Sequence, residues 1–162
     1  MSGADIPVVD DRRTARARAR EEHDRVLAAG RHLLQQLTFR DVEVNGADLA
    51  IDLDLGPTVT NPRGALQGGI MATLVDIVAG RAVLLDGPRD GVATTDLSIH
   101  YLRGLTVGPA RAVATVVRRG RSLAVVTVDV IDVGTGELCA VSTVAFSVSP
   151  AAAAAAVPDQ VS

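Results

Sequence analysis

The sequence predicts an α+β domain in which one antiparallel sheet curls around a single apolar helix. Three observations carry this. The stretch Gly68 to Gly80 is apolar on nearly every side of a helical projection, so the rest of the domain has to wrap it. Period-two alternation marks strands before and after it, and Gly-containing turns punctuate those strands. A chain of 162 residues, 48% hydrophobic, is long enough for one domain with a core and too short for two ordinary ones.

The elements follow in chain order. Residues 1–13 read as a disordered N-terminus without chemistry. From Thr14 to Leu37, Val26, Gly30, Leu33, Leu34 and Leu37 fall at helical spacing, which predicts an extra N-terminal helix with a solvated, Arg-rich first half. Leu49, Ile51, Leu53 and Leu55 alternate with Ala50, Asp52 and Asp54, and Asn45-Gly46 before them signals a hairpin from a preceding strand. A Pro/Gly-rich loop covers Gly56 to Gly64, and the apolar helix follows. After Gly91 four strands are expected: around Leu97, Ile99 and Tyr101; from Val113 to Val117; through Val126, Val128 and Val130; and through Val144, Phe146 and Val148. Arg119-Gly120 and Gly134-Thr135-Gly136 supply turns, and the simplest layout is a four-stranded meander. The core domain is expected over 14–149, with a disordered Ala-rich tail over 150–162.

Composition excludes several function classes. The formal charge of -3 and pI near 5.5 argue against nucleic acid as a partner. All basic residues are Arg, and Trp is absent, so the core has to be aliphatic. Cys139 stands alone, which rules out an internal disulfide and a thiolate metal cluster. The N-terminus has no apolar run and no segment reads as a membrane span, so a cytoplasmic protein with no membrane partner is expected.

Asp76 is the only ionisable residue between Gly68 and Gly80. A carboxylate kept in such a helix is expected to be paired or used, Arg81 being the plain structural partner. Gly68 and Gly69 open the helix, where unpaired N–H groups and the positive dipole end could stabilise an oxyanion; a tight turn explains them equally well. Gly68 and Asp76 lie eight residues apart, hence about 12 Å along one helix. That is too far for both to touch one reacting carbon, so if both act they belong to different subunits about a two-fold axis.

Asn61 offers an amide for a water or a carbonyl, although Asn beside Pro62 is commonly a turn former. Thr94 and Thr95 could bring hydroxyls to the same place, and Arg103, Arg118, Arg119 and Arg121 could meet phosphates or simply sit in solvated turns. His23, His32 and His100 show no metal spacing, and Cys139 has no activator nearby, so neither a metal site nor a thiol nucleophile is expected.

The ordered set Asn61, Gln67-Gly68-Gly69, Asp76, Thr94-Thr95-Asp96-Leu97 and Tyr101-Leu102-Arg103 resembles the PaaI-like acyl-CoA thioesterases of the hotdog superfamily, over roughly Leu49 to Val148. The resemblance implies a hotdog fold and hydrolysis of an acyl-CoA thioester to free acid and CoA. It implies Asp76 as general base or nucleophile, Asn61 placing water, Gly68 donating to the thioester carbonyl and Thr94 assisting the acid. Gln67, Gly69, Thr95, Arg103, Arg118 and Arg121 are expected to bind substrate. The homodimer, commonly paired into a tetramer, would hold Asn61 and Gly68 on one subunit and Asp76 and Thr94 on the other. No cofactor is expected beyond the CoA of the substrate. The chain departs from the family at Gln67, where His is usual: Gln keeps an N–H donor but cannot titrate. A non-catalytic binder of CoA thioesters is the alternative, and a hotdog hydratase is disfavoured because no His stands near Asp76 in sequence.

Overall fold

The computed structural model describes residues 12–30, 32–85 and 89–150. Two compact units divide at Thr38: Met1–Thr38 and Phe39–Ser162. In the first, helix α1 spans Arg12–Ala28 and a 3-10 turn spans Leu33–Gln36. The expected helix through Leu37 therefore ends early. Gly30 takes φ +65°, a left-handed conformation that Gly adopts without a Cβ penalty, and its N–H bonds the Leu27 carbonyl. His32 then starts the 3-10 turn, its Nδ1 accepting from Leu34 N–H and its own N–H donating to the Gln35 side chain.

The second unit is a six-stranded antiparallel sheet with one long helix. Its elements are β1 (Phe39–Val42), β2 (Leu49–Leu53), α2 (Gly68–Leu84), β3 (Arg89–Tyr101), β4 (Ala110–Arg119), β5 (Leu123–Asp132) and β6 (Glu137–Pro150). The hairpin at Asn45-Gly46 forms as expected, with Gly46 at φ +82° and Phe39 opposite Leu53. The turns at Gly120 and at Gly134 to Gly136 also join the strands expected of them.

The strand order is β1-β2-β4-β5-β6-β3, which corrects the four-stranded meander. Of the four strands expected in the meander, only β4, β5 and β6 lie beside their neighbours in sequence. β3 lies at the far edge against β6, and β4 pairs with β2, so the link from β3 to β4 crosses the sheet. Alternation fixes which residues face inward but carries no information on which strand lies beside which.

The core is the contact between α2 and the concave face of the sheet. Met71, Leu74, Val75, Val78, Ala79, Ala82 and Val83 are buried on α2. They meet Ile51 and Leu53 of β2, Val126, Val128 and Val130 of β5, and Val144 and Phe146 of β6. Burying each of these larger side chains contributes about 1.5–3 kcal/mol. On β4 the inward positions are Ala110, Ala112 and Ala114, all fully buried. Small side chains there let the helix axis come close to the middle of the sheet. One stripe of α2 is left half-buried: Thr73, Asp76, Ile77 and Gly80. The chain's own sheet thus covers only part of a helix that is apolar nearly all round.

β3 carries a register shift between Thr94 and Asp96. Before it, Val92 and Thr94 stand opposite Val148 and Phe146, which point inward; after it, Leu97, Ile99 and Tyr101 stand opposite Val144, Ser142 and Ala140, which also point inward. Thr94 and Tyr101 are seven positions apart, an odd offset, so an unbroken strand would send them to opposite faces. The bulge at Thr95, whose hydroxyl donates to the Ala145 carbonyl, puts both on the helix side.

Two buried acids tie the sheet together: Asp52, expected on the polar side of its strand, joins β2 to β4, and Asp132 holds the loop amides beside β5. Asp52 is 5% exposed at its side chain and takes a two-pronged bond from Arg111, Nε at 2.7 Å and Nη2 at 2.9 Å. Asp132 is 2% exposed and accepts backbone N–H groups of Thr106, Val107, Gly108 and Gly134 at 2.7–3.1 Å. Burial pushes its carboxyl up, but the four amides together outweigh that and hold it below the usual carboxylate range.

Two outcomes are expected. Because the folded-state pKa of Asp132 is lowered, its contribution is complete above the unfolded value of about 3.9 and is lost as pH falls through the folded one. Asp132→Asn should therefore cost about 1–3 kcal/mol at pH 7. The gap in melting temperature between the two proteins should close as the pH is brought down below about 4. Deleting Thr95 should straighten β3 and leave Thr94 on the helix side, because Thr94, Asp96 and Leu97 then alternate in, out and in as a regular strand does. A crystal structure of the deletion in which Thr94 had turned to the outer face and lost its bond to Asp76 would contradict the parity account.

Candidate active site

The residues singled out in the sequence assemble at two places along α2. At its start the backbone N–H groups of Gly68, Gly69 and Ile70 meet no acceptor among the described residues, because the first helical N–H bond is that of Met71 to the Gln67 carbonyl at 2.9 Å. Gln67 is the N-cap residue, and its exposed side chain makes no capping bond. Three amides and the positive end of a 17-residue helix dipole are left pointing out of the fold. A Cβ on Gly69 would meet nothing within 4 Å, so its lack of a side chain leaves room for a ligand rather than for the protein.

Beside this helix start lies an open hollow of about 380 Å³, lined by Asn61, Gly68, Met71, Tyr101, Arg103 and Leu105 among others. The Asn61 side-chain Oδ1 accepts from the N–H groups of Arg63 at 2.9 Å and Ala65 at 3.3 Å, which folds the loop into the hollow's wall. Asn61 thus forms the turn, and its amide N–H₂ has no acceptor among the described residues. Arg103 reaches the same hollow and pairs with Glu137. Tyr101 closes it, its hydroxyl donating to the Gly68 carbonyl at 2.8 Å. The sequence marks Tyr101 as an alternating strand position and as part of the segment resembling the thioesterases, with no site role of its own. The parity break between Val92-Thr94 and Leu97-Ile99-Tyr101 was the signal that could have found it.

Two turns along the helix, Asp76 sits half-buried on the uncovered stripe. Its Oδ1 accepts the Thr94 hydroxyl at 2.7 Å. The expected structural partner, Arg81, is engaged elsewhere, gripping Asp41 of β1 through two bonds of 2.6 and 2.7 Å. Asp76 therefore keeps one oriented oxygen and one without a partner among the described residues.

Other candidates lie apart. Thr95 is spent on the bulge. Arg119 donates to the Ala82 and Val83 carbonyls, satisfying the C-terminal end of α2. Arg118 and Arg121 flank the same β4–β5 turn, exposed. α2 is 17 residues long, about 25 Å, so these two arginines stand at the opposite end of the helix from Gly68. His100 is exposed on the outer face, and Cys139 is buried, its thiol pushed up by desolvation. Among the described residues no cluster of three or more His, Cys, Asp or Glu could hold a metal ion, and no helix is long and apolar enough to cross a membrane.

Comparison with known proteins agrees with this layout. The thioesterase superfamily pattern matches residues 63–139, from the loop after Asn61 into β6. Human acyl-coenzyme A thioesterase 13 is 34% identical over 82 residues, 50% of this chain and 59% of that protein. A Halobacterium salinarum protein bearing an esterase name is 41% identical over 108 residues, 59% of this chain and 68% of that protein. The chain spans about half the length of the Caenorhabditis elegans and Saccharolobus solfataricus relatives it matches, 50% and 54%. Among solved structures, the Bacillus halodurans BH2602 protein with CoA is 33% identical, with TM-score 0.60 over 80% of this chain and 81% of that one. The Haemophilus influenzae thioesterase HI1161 shares the fold at TM-score 0.66, 22% identical, over 78% of this chain and 88% of that one. The wrapped helix, the antiparallel sheet and these likenesses together place the chain, with its hotdog fold, in the thioesterase superfamily.

Proposed function

We propose that the protein is a PaaI-like acyl-CoA thioesterase whose site is shared between two copies of the chain. The observation that carries this is the division of labour along α2. Open amides stand at Gly68 and Gly69, and an oriented carboxylate at Asp76 lies about 12 Å further on. Among the described residues the two groups make no contact with each other, and about two helical turns separate them. A second copy packed antiparallel about a two-fold axis would complete both sites at once and cover the half-buried stripe of α2. The free edge of β3, thirteen residues long, offers the matching strand pairing. Pairing of dimers into tetramers, commonly seen in the resembled family, belongs to the same proposal.

In this reading the thioester carbonyl points at the Gly68 and Gly69 N–H groups of one chain. The Asn61 amide, in the wall of the same hollow, helps hold the water. Asp76 of the other chain, held by Thr94, takes a proton from that water as its oxygen bonds the carbonyl carbon. The charge that develops on the carbonyl oxygen is held by the helix-start amides. Collapse breaks the carbon–sulfur bond, the carboxylic acid leaves, and the CoA thiolate takes up the proton. The reaction consumes only water and calls for no metal or redox group. Arg103, at the mouth of the hollow, is the cation placed to meet the CoA phosphates from the Gly68 side. Arg118 and Arg121 could do so only from a neighbouring chain. The names of the thioesterase and CoA-bound relatives support this substrate class. A cytoplasmic setting is proposed with it, consistent with the unpaired Cys139.

One observation favours a second reading, a protein that binds CoA thioesters without turning them over: Gln67 stands where the resembled family has His, and its side chain makes no capping bond. Thiol release across aromatic, short and long acyl-CoAs separates the two. Asp76→Ala is expected to lower the rate about 100-fold or more. Equal rates in wild type and variant would remove Asp76 from the mechanism, and binding without release in the wild type would favour the second reading.

A further inference from the structure

We infer that Tyr101 is a positioning residue that sets the donor strength of the Gly69 N–H, an inference that rests on the thioesterase reading of the same site. The Tyr101 hydroxyl donates to the Gly68 carbonyl at 2.8 Å, from a strand 33 residues away in sequence. Nothing in ordinary hydrogen-bond satisfaction demands this contact. The Gly68 carbonyl is an acceptor of the helix's own i to i+4 ladder, and Tyr101 is 50% exposed, so water could serve its hydroxyl. The Gly68 carbonyl and the Gly69 N–H are two ends of one planar peptide unit. A donor on the oxygen withdraws electron density from the nitrogen and makes its N–H the stronger donor. That N–H is among the open amides, and the space around Gly69 is clear.

The ring fixes the geometry as the hydroxyl tunes it. Its Cζ, Cε1 and Oη atoms lie 3.4–3.5 Å from where a Gly68 Cβ would stand, so the phenol packs flush on the first helical residue. A neighbouring bond has an ordinary explanation. The Thr73 hydroxyl donates to the Gly69 carbonyl at 3.0 Å, the i to i−4 contact that Thr makes in helices generally. Tyr101 is different because the fold has to bring it there. The bulge at Thr95 turns it inward in step with Thr94, so one strand orients the acid of one site with Thr94 and the amides of another with Tyr101.

The test is Tyr101→Phe, which keeps the ring and removes only the donor. In amide ¹H–¹⁵N spectra the Gly69 proton should move upfield while that of Gly80, later in the same helix, stays. For hydrolysis of acyl-CoA, kcat should fall about two- to fivefold with KM held, since the bond strengthens a donor without creating one. An unmoved Gly69 amide, or an intact kcat, overturns the inference. Wild-type protein that releases no more thiol than Asp76→Asn would sink the thioesterase reading instead, and the Gly69 amide would still decide whether Tyr101 acts on that peptide.

Discussion

A 17-residue helix, apolar on almost all sides and with Asp76 as its one ionisable residue before Arg81, has to be covered, and most of this structure is the cover. The sheet bends around α2, β4 offers alanines where the helix comes nearest, and β2, β5 and β6 supply the larger aliphatic side chains. The cover is incomplete on the stripe that carries Thr73, Asp76 and Ile77. The wrapping thus decides where chemistry can happen: a carboxylate is tolerable on this helix only along the part that the chain's own sheet leaves open.

β3 ties the helix down at both functional points. Thr94 holds Asp76, and Tyr101 holds Gly68. These contacts lie on the same strand but out of phase, and a single extra residue reconciles them. A bulge beside a site is then a requirement of register. Asp132, far from the site in sequence logic, serves it indirectly by gathering the amides of Thr106, Val107 and Gly108, in the link that follows the Tyr101–Arg103 segment.

Much of this was legible in the sequence. The helix announced itself because Gly68 to Gly80 admits no solvated face, and the hairpin because Asn45-Gly46 precedes a clean alternation. Asp76 stood out as a lone charge in an apolar run. The position of β3 did not show, since pairing across a sheet depends on crossovers that no local pattern encodes. The end of α1 was misjudged because Gly30 falls at apolar spacing and still breaks the helix through its φ. Arg81, which the purely structural reading of Asp76 offered as its partner, sits in the last turn of α2 and faces Asp41 on β1 instead. The contact of Tyr101 with Gly68 and the role of Asp132 did not show because their partners are backbone groups, which leave no trace in residue type.

The central claim is that each working site draws its amides from one chain and its carboxylate from another. Subunit complementation tests it most directly. Asp76→Ala lacks the acid, and Gly68→Pro lacks a helix-start donor at a position where Pro suits a helix; each alone should be inactive. Chains mixed and allowed to exchange should form one intact site in every mixed dimer, so about a quarter of the wild-type rate should return. Mixed dimers that are demonstrably formed yet remain at background would contradict the shared site.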